Sequence, residues 1–127
     1  FVDYIQLMTT HGKSENRHQE ISVTSRSLKN IALEMDIPVV ALSQINRKTE
    51  DRDNKRPTMS DLKESGAIEQ DADVVMFPFR PDVHNFRDKP GIAEINIAKN
   101  RNGPLGTIEL GFKKHCVKYY NLAQGVK

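Results

Sequence analysis

The feature that most constrains the fold is an amphipathic segment that leads directly into a nearly unbroken apolar run. Between about residues 15 and 35, apolar or small side chains recur at helical spacing while charges occupy the other face. These positions are Ile21, Ser25, Leu28, Ile31, Ala32 and Met35. Residues 37–42 then form an apolar run with β-branched members, and Pro38 stands near its start, where a missing N–H is tolerated. Such a run predicts a strand buried on both faces, as in a parallel sheet.

Further elements extend this pattern on both sides. Phe1-Val2-Asp3-Tyr4 reads as the last residues of a strand whose beginning is missing, so we expect the chain to be a fragment. Strand, helix and strand in this order predict a βαβ unit with parallel strands. Ser60 is expected to cap a short helix that runs through about Gln70, and residues 72–79 form a second apolar run of the buried-strand type.

The hydrophobic period changes after residue 91. Apolar side chains then alternate with polar ones in two stretches, which predicts two half-buried antiparallel strands. The apolar positions are Ala93, Ile95, Ile97, Ile108, Leu110 and Phe112. Residues 102–106 (NGPLG) predict the turn between these strands, and residues 117–122 a third strand. The predicted fold class is therefore α/β, with parallel strands and helices followed by an antiparallel hairpin extension.

Composition excludes several classes of function. The 127 residues carry 19 Lys plus Arg against 17 Asp plus Glu, a net charge of +2, so any polyanion site has to be local. Cys116 is the one cysteine, so no intrachain disulfide can form, and we interpret it as a packing residue. Nothing in the sequence resembles the Cys/His spacing of a zinc site. No apolar run approaches the about 18 residues that cross a bilayer, and no leader is recognisable. We expect a cytoplasmic protein without membrane contact.

Polar side chains end two of the predicted strands. Asp3 ends the first strand, and Gln44, after Ser43, ends the run at residues 37–42. Open α/β sheets bind ligands at the carboxyl ends of their strands, so Asp3 and Gln44 should lie close together on one edge. An Asp there can hold Mg²⁺ directly or through water, and an amide can hydrogen-bond a terminal phosphate. Taken singly, a strand-end Asp is more often a turn former or helix cap, and a strand-end Gln is more often solvated.

Two charged segments are candidates for phosphate contacts. Arg47 lies in residues 46–58, a highly charged stretch without apolar period that predicts a mobile loop. Arg pairs well with phosphate, but composition favours a solvated loop whose charges cancel. Lys99 and Arg101 stand at the tip of the predicted hairpin. An Arg there can stabilise a transferring phosphoryl group in a neighbouring subunit, while sheets also use Lys and Arg to protect edges. The residues alone leave both interpretations open.

Together these segments resemble the C-terminal RecA-like ATPase domain of the DnaB-type replicative DNA helicases. Residues 2–8 (VDYIQLM) are similar to the Walker B region, and residues 41–47 (ALSQINR) to the sensor strand that follows it. Residues 55–73 (KRPTMSDLKESGAIEQDAD) are the most specific stretch and match the DNA-binding loop and helix. Residues 97–104 (IAKNRNGP) resemble the arginine-finger hairpin. The matches are in order, correctly spaced and cover nearly the whole chain.

The resemblance implies roles in ATP hydrolysis for five positions. Asp3 would be the Walker B carboxylate that organises Mg²⁺, and Gln44 the sensor of the γ-phosphate of ATP. Arg47 would bind the nucleotide together with Asp3 and Gln44. Arg101 would be the finger that reaches the ATP of the adjacent subunit, with Lys99 beside it as a second cation. Cofactors of the assembled protein would accordingly be ATP and Mg²⁺.

The resemblance also implies contacts with DNA. Lys63, Glu64 and Gly66 would lie on the loop that follows single-stranded DNA through a hexameric ring. Many relatives carry Arg at Lys63, so we expect the phosphate contact to persist with less geometric definition. Primase and a helicase loader are the partners implied, and the bacterial nucleoid at the replication fork the location.

The expected domain organisation is a partial one. Residues 1–127 would be part of a RecA-like helicase C-terminal domain, without the upstream Walker A half and the N-terminal domain. The whole protein would be an ATP-dependent helicase, and this piece alone is expected to be inactive. An alternative of another class is a non-catalytic RecA-like assembly or DNA-binding module. A RecA/RadA-type recombinase is a third possibility, against which residues 55–73 argue.

Overall fold

The computed structural model describes residues 1–8 and 17–123, except for the side chains of residues 63–65. The chain divides into two compact units. The first comprises Phe1–Asp53 and Thr58–Ala72, and the second Asn54–Pro57 and the chain from Asp73 onward. Among the described residues, no helix combines the length and the apolar character that crossing a membrane requires.

The first unit is helical. Its elements are the 3₁₀ helix Ile5–Leu7, α1 at Arg17–Glu34, the 3₁₀ helices Arg47–Asp51 and Met59–Ser65, and α2 at Gly66–Asp71. A small core forms where Ile5, Ile21 and Ile68 meet, with Leu28 and Ala41 packed against it. The predicted amphipathic helix is confirmed over its described length, and its predicted first residues lie outside the described ones. Ile21 and Leu28, predicted for the apolar stripe, do face this core.

The strand predicted at residues 37–42 is only partly formed. A single parallel bridge joins Val2 to Ala41, so the predicted parallel direction is present. However, Val40 and Leu42 are 40% and 51% exposed, and the prediction of burial on both faces is wrong for this structure. The physical reason is that a parallel strand needs hydrogen-bonding neighbours on its sides. In the described part of the chain, residues 37–42 pair only with the short segment around Val2.

The second unit is an antiparallel sheet with strand order β1-β2-β3-β4. The strands are β1 at Val74–Phe79, β2 at Ile92–Asn100, β3 at Gly106–Lys113 and β4 at Lys118–Asn121, and α3 at Pro81–His84 follows β1. The predicted hairpin and third strand are confirmed, with Ile95 opposite Ile108 in the β2–β3 pair. The chain is therefore α/β, as predicted, with an antiparallel extension.

The prediction that residues 72–79 form a buried parallel strand is wrong. β1 runs antiparallel to β2, and its side chains alternate between exposed and buried. Val75 and Phe77 are buried, whereas Val74 and Met76 are about half exposed. A short apolar run has no period that could separate a strand covered on one face from one covered on both.

Residues 46–58 are more ordered than their composition indicated. Instead of a loop without structure, they contain the 3₁₀ helix Arg47–Asp51, in which Thr49 is only 4% exposed. Asn46 caps this helix, since its Oδ1 accepts the Lys48 N–H at 3.1 Å. Polar capping thus supplies the order that an apolar face would supply elsewhere.

Two smaller predictions also change. The helix that was expected to begin at Ser60 is capped by Thr58 instead and starts as a 3₁₀ helix before α2. Cys116 is exposed and is not the packing residue that was expected.

A buried carboxylate fastens the segment Asn54–Pro57 to the sheet. Glu94, in β2, is 5% exposed. Its carboxylate accepts Nε and Nη2 of Arg56 at 2.6 and 3.0 Å and Nζ of Lys89 at 2.8 Å. The Arg56 guanidinium also lies 5.0 Å from the centre of the Phe79 ring, and Lys89 reaches Glu109 at 2.5 Å. Two cations therefore compensate the one buried charge.

This network lowers the pKa of Glu94 to about 2, well below its ordinary value. Hydrogen bonds from Arg56 are the largest cause, and with those from Lys89 they outweigh the opposing effect of burial. Because the pKa is lower in the folded than in the unfolded chain, the interaction stabilises the fold fully above a pH of about 4.5. That contribution is lost as the pH falls toward 2.

We predict that Glu94→Gln lowers the free energy of unfolding by roughly 2 kcal/mol at pH 7, since two charged donors lose their ionised acceptor. Thermal or urea unfolding of the variant beside the parent chain measures this. Glu109→Gln is the matched control: its carboxylate is 44% exposed and pairs with Lys89, so the loss should be much smaller. Equal losses for the two variants would contradict the role given to Glu94.

Candidate functional site

Asp3 and Gln44 stand on two segments that the structure pairs. The Val2 N–H donates to the Val40 carbonyl at 2.9 Å, and the Leu42 N–H donates back to the Val2 carbonyl at 2.8 Å. Asp3 directly follows Val2 on the first segment, and Gln44 lies two residues beyond Leu42 on the second. Both residues are exposed. The backbone thus brings the two predicted nucleotide-facing positions to neighbouring segments of the first unit.

Asp3 offers a single carboxylate. Within the described residues, no group of three or more His, Cys, Asp or Glu could hold a metal ion. Mg²⁺ at nucleotide sites takes only one or two carboxylates and keeps several waters beside the phosphates. An exposed Asp fits that requirement, although it could not hold the ion by itself.

Gln6 is the residue that sequence reasoning missed. It lies in the 3₁₀ helix Ile5–Leu7, and its side chain contacts both residues at the end of the second segment. Its Nε2 donates to Ser43 Oγ at 3.0 Å and to the Gln44 carbonyl at 3.3 Å, and its Oε1 accepts the Gln44 N–H at 3.1 Å. The one signal in the sequence is a glutamine placed between two apolar residues directly after the strand end.

Arg47 begins the 3₁₀ helix Arg47–Asp51, three residues after Gln44. Its side chain is exposed, and the preceding Asn46 both caps the helix and donates its N–H to the Asp61 carbonyl at 3.2 Å. The hydroxyl of Thr49 donates to the Asn46 carbonyl at 2.8 Å. Arg47 therefore projects from a fixed backbone rather than from the mobile loop that was predicted.

Asp61 closes the start of the helix Met59–Ser65. Its Oδ2 accepts the Thr58 N–H at 2.7 Å, the Thr58 hydroxyl at 3.1 Å and Nη2 of Arg52 at 2.8 Å. Burial alone would raise the pKa of Asp61, but hydrogen bonds from Thr58, Arg52 and Thr49 outweigh it and hold the pKa below its ordinary value. The carboxylate is thus ionised at neutral pH and fixes the helix at its first turn.

The predicted DNA-contacting residues follow this fixed point. Lys63 and Glu64 lie in the helix Met59–Ser65, and their side chains are outside the described part of the structure. Gly66 begins α2 with φ −53° and ψ −27°, values open to any residue, and among the described residues no heavy atom of another part of the chain lies within 4 Å of where a Cβ would stand. The described part of the fold therefore does not require glycine at position 66.

Asp71 holds α2 against α1. It is 7% exposed at the end of α2. Its carboxylate accepts the Ser25 hydroxyl at 3.0 Å and forms an ion pair with Arg26, whose Nη2 lies 3.0 Å away; both partners belong to α1. The helix that starts at Gly66 is therefore tied at its far end to the longest helix of the unit.

The hairpin places Lys99 and Arg101 differently. Lys99 was predicted at the tip, but it is a half-buried residue of β2 opposite Val75. Arg101 is the first residue of the turn; its N–H donates to the Asp73 carbonyl at 3.0 Å. Its guanidinium lies 3.6 Å from the Asp73 carboxylate, and both side chains are about half exposed. Of these two cations, therefore, Arg101 lies in the turn and Lys99 lies in the strand. The ion pair between Arg101 and Asp73 is exposed to water.

Comparison with known proteins gives a consistent result. The family described as the DnaB-like helicase C terminal domain matches residues 1–121. The chain is 54% identical to the replicative DNA helicase DnaB of Geobacillus stearothermophilus over 95% of its own length. Identity to the replicative DNA helicase DnaC of Bacillus subtilis is 52%, again over 95% of the chain. The chain spans 27% of the length of each of these relatives.

Solved structures agree with these sequence matches. A structure whose title describes an ATPase domain superposes with a TM-score of 0.91 at 45% identity, covering 94% of this chain and 43% of that one. A second structure, titled "The Structure Of A DnaB-Like Replicative Helicase And Its Interactions With Primase", gives a TM-score of 0.90 at 45% identity. It covers 94% of this chain and 30% of the other.

We predict that Asp61→Ala loosens the helix Met59–Ser65, because Thr58 and Arg52 lose their shared acceptor. Loss of such a cap costs roughly 1–2 kcal/mol. Amide hydrogen exchange in residues 59–65 should accordingly become about five- to thirty-fold faster. Asp53→Ala, an exposed aspartate of the same charged segment, is the control and should leave exchange there unchanged. Equal exchange in both variants would contradict the capping role.

Proposed function

Since the chain belongs to the family described as the DnaB-like helicase C terminal domain, we propose that it is part of an ATP-dependent hexameric replicative DNA helicase that unwinds duplex DNA at the replication fork. The relatives at 52–54% identity are named replicative DNA helicases. Because this chain spans 27% of their length, the activity is proposed for the whole protein. The bacterial cytoplasm, at the nucleoid, is its proposed location.

The observation that carries this proposal is the pairing of the two segments that carry Asp3 and Gln44. In the fold that we propose, the C-terminal half of a RecA-like P-loop NTPase sheet, such strand ends form the edge that faces the nucleotide. The parallel bridge between Val2 and Ala41 and the likeness to a structure titled as an ATPase domain support this fold. Residues 1–127 would be part of that domain, and other parts of the protein would supply the phosphate loop and the catalytic Glu.

At the nucleotide, we assign Asp3 to the Mg²⁺ that accompanies ATP and Gln44 to the γ-phosphate. Arg47 projects from the helix that follows and would add a cation on the same side. The metal would neutralise charge on the phosphates when bound. What this chain contributes is position: Asp3 and Gln44 are exposed side chains on two segments whose backbones are hydrogen-bonded to each other.

Arg101 is proposed as the arginine finger. In a ring of identical subunits, one subunit's surface meets a different surface of its neighbour, so a projecting turn can reach the neighbour's ATP. Arg101 occupies such a turn, and its pair with Asp73 at 3.6 Å is exposed and therefore weak. Lys99, as a residue of β2, would act as a second cation from a more fixed position.

Lys63, Glu64 and Gly66 are proposed to follow the backbone of single-stranded DNA. Among the described residues, no heavy atom of another part of the chain lies within 4 Å of the position that a Cβ at residue 66 would take, so a DNA backbone could approach closely there. Asp61 and Asp71 hold the two ends of this stretch. Contact with phosphate rather than with bases would let the ring move along any sequence.

The partners proposed are single-stranded DNA, further copies of the same protein in a hexamer, primase and a helicase loader. One solved relative's title describes a DnaB-like replicative helicase and its interactions with primase. The competing proposal, a non-catalytic assembly or DNA-binding module, makes the opposite prediction about ATP hydrolysis in the whole protein.

We predict that Arg101→Ala in the full-length protein lowers DNA-stimulated ATP hydrolysis at least about a hundred-fold, since an arginine finger contributes roughly 10³–10⁵ to turnover. Nucleotide binding should stay within about three-fold of the parent, because the finger stabilises charge that develops during transfer. Steady-state hydrolysis and nucleotide titration measure the two effects. Arg87→Ala, an exposed arginine that stacks on neighbouring Phe86, is the control and should change neither. Unchanged turnover in Arg101→Ala would contradict the finger assignment.

We predict that Lys63→Ala weakens binding of single-stranded DNA about equally for all sequences, because the proposed contact is to phosphate. The slope of log affinity against log salt should fall by roughly 0.7. Titration of fluorescent oligonucleotides of different sequence at several salt concentrations measures both quantities. Lys118→Ala, an exposed lysine of β4, is the control and should leave affinity unchanged. A loss that depends on base sequence would show direct readout instead.

A further inference from the structure

We propose that Gln6 is a positioning residue that sets the backbone of Gln44, and with it the placement of the sensor side chain relative to Asp3. The inference rests on the proposed function of Gln44 at the γ-phosphate. Its physical basis is the hydrogen bonding between residues 2–6 and 40–44, all within the first unit.

The backbone of the first segment stops pairing at Ile5. Up to that point the two segments exchange main-chain hydrogen bonds, the last of which runs from the Ile5 N–H to the Leu42 carbonyl at 3.0 Å. The chain then turns into the 3₁₀ helix Ile5–Leu7. The carbonyl of Gln6 is engaged by the guanidinium of Arg17 instead of by the second segment. Without a further partner, the main-chain N–H and carbonyl of Gln44 would remain unpaired by the neighbouring segment.

The side-chain amide of Gln6 takes the place of the missing peptide group. Like a peptide, it carries a carbonyl acceptor and N–H donors in one plane. Its Oε1 accepts the Gln44 N–H at 3.1 Å, and its Nε2 donates to the Gln44 carbonyl at 3.3 Å. Nε2 also donates to Ser43 Oγ, at 3.0 Å. Three hydrogen bonds therefore continue the pairing by two residues beyond the end of the backbone pairing.

The residue that carries this amide is itself held in place. Ile5, directly before it, is 3% exposed and packs in the core with Ile21 and Ile68. Asp3 lies three residues earlier on the same short segment. Because Gln6 is hydrogen-bonded to both the N–H and the carbonyl of Gln44, it restricts the direction in which the Gln44 side chain leaves the backbone. Asp3, the proposed Mg²⁺ ligand, and Gln44, the proposed sensor, thus lie on the same pair of hydrogen-bonded segments.

The chemistry selects an amide of this length. Glutamate has the same shape but no N–H, so its charge would face the Gln44 carbonyl without a donor between them. Alanine removes the contacts altogether. Both changes should leave the packing of Ile5 intact, which separates loss of positioning from loss of the fold.

The test is made on the full-length protein with Gln6→Ala, Gln6→Glu and Gln44→Ala, and with Gln19→Ala, an exposed glutamine of α1, as the control. We expect both Gln6 variants to lower the kcat of DNA-stimulated ATP hydrolysis about ten-fold or more, while nucleotide affinity and melting temperature stay close to those of the parent. Gln19→Ala should behave as the parent. A parent-like kcat in Gln6→Glu would show that the side chain merely fills space.

The double variant Gln6→Ala/Gln44→Ala decides whether Gln6 acts through Gln44. If it does, the kcat of the double variant should lie within about two-fold of that of Gln44→Ala alone, because the sensor that Gln6 positions is already gone. Multiplied losses, or a fall in melting temperature and nucleotide affinity together, would overturn the positioning role. An unchanged kcat in Gln44→Ala would instead refute the sensor role under the proposed function. A fall in Gln44→Ala but not in Gln6→Ala would refute the positioning role alone.

Discussion

The hydrogen-bonded pairing of residues 2–6 with residues 40–44 is the constraint on which the proposed nucleotide site depends. Main-chain groups that leave water must find partners, and here Val2 and Ile5 supply them for the second segment. Ile5 anchors the pairing in the core, and the amide of Gln6 prolongs it to Gln44. The positions of Asp3 and Gln44 therefore follow from the hydrogen bonding of main-chain groups. No direct contact between the two side chains is needed.

Ion pairs give order to a part of the chain that is too polar to form an apolar core. The carboxylate of Asp61 accepts hydrogen bonds from Thr58 and Arg52, and that of Glu94 accepts them from Arg56 and Lys89. Both carboxylates have lowered pKa values, so they stay ionised throughout the physiological range. Each is hydrogen-bonded by at least one cation, which offsets the cost of withdrawing its charge from water. Each carboxylate thus fixes its own part of this charged stretch: Asp61 holds Arg52 and Thr58, and Glu94 holds Arg56.

The sequence predicted the amphipathic elements, in which one face is buried and the spacing of apolar side chains therefore shows the type of element. α1 and the β2–β3 hairpin are of this kind, and the structure confirms both. It could not predict which apolar run is covered on one face or on two, so the descriptions of residues 37–42 and of β1 were wrong. Contacts between residues far apart in the sequence were not predicted either, because a local side-chain period does not reveal them. Gln6 and Ser43 are separated by 37 positions, and Arg56 and Glu94 by 38. The roles of Asp3, Gln44 and Arg101 came from the resemblance and stay predictions.

Arg56 and Arg101 show how surroundings decide what an arginine can do. Arg56 makes two hydrogen bonds, at 2.6 and 3.0 Å, to a carboxylate that is only 6% exposed. Loss of Arg56 would leave that buried carboxylate with less charge compensation, which is unfavourable, so Arg56 is committed to its place in the fold. Arg101 faces Asp73 at 3.6 Å with both side chains half exposed, and a pair of this kind contributes about 0–1 kcal/mol. A phosphate that accepts two charge-assisted hydrogen bonds can displace Asp73 as its partner. Because this pair with Asp73 is weak and exposed to water, it offers little resistance to a phosphate partner.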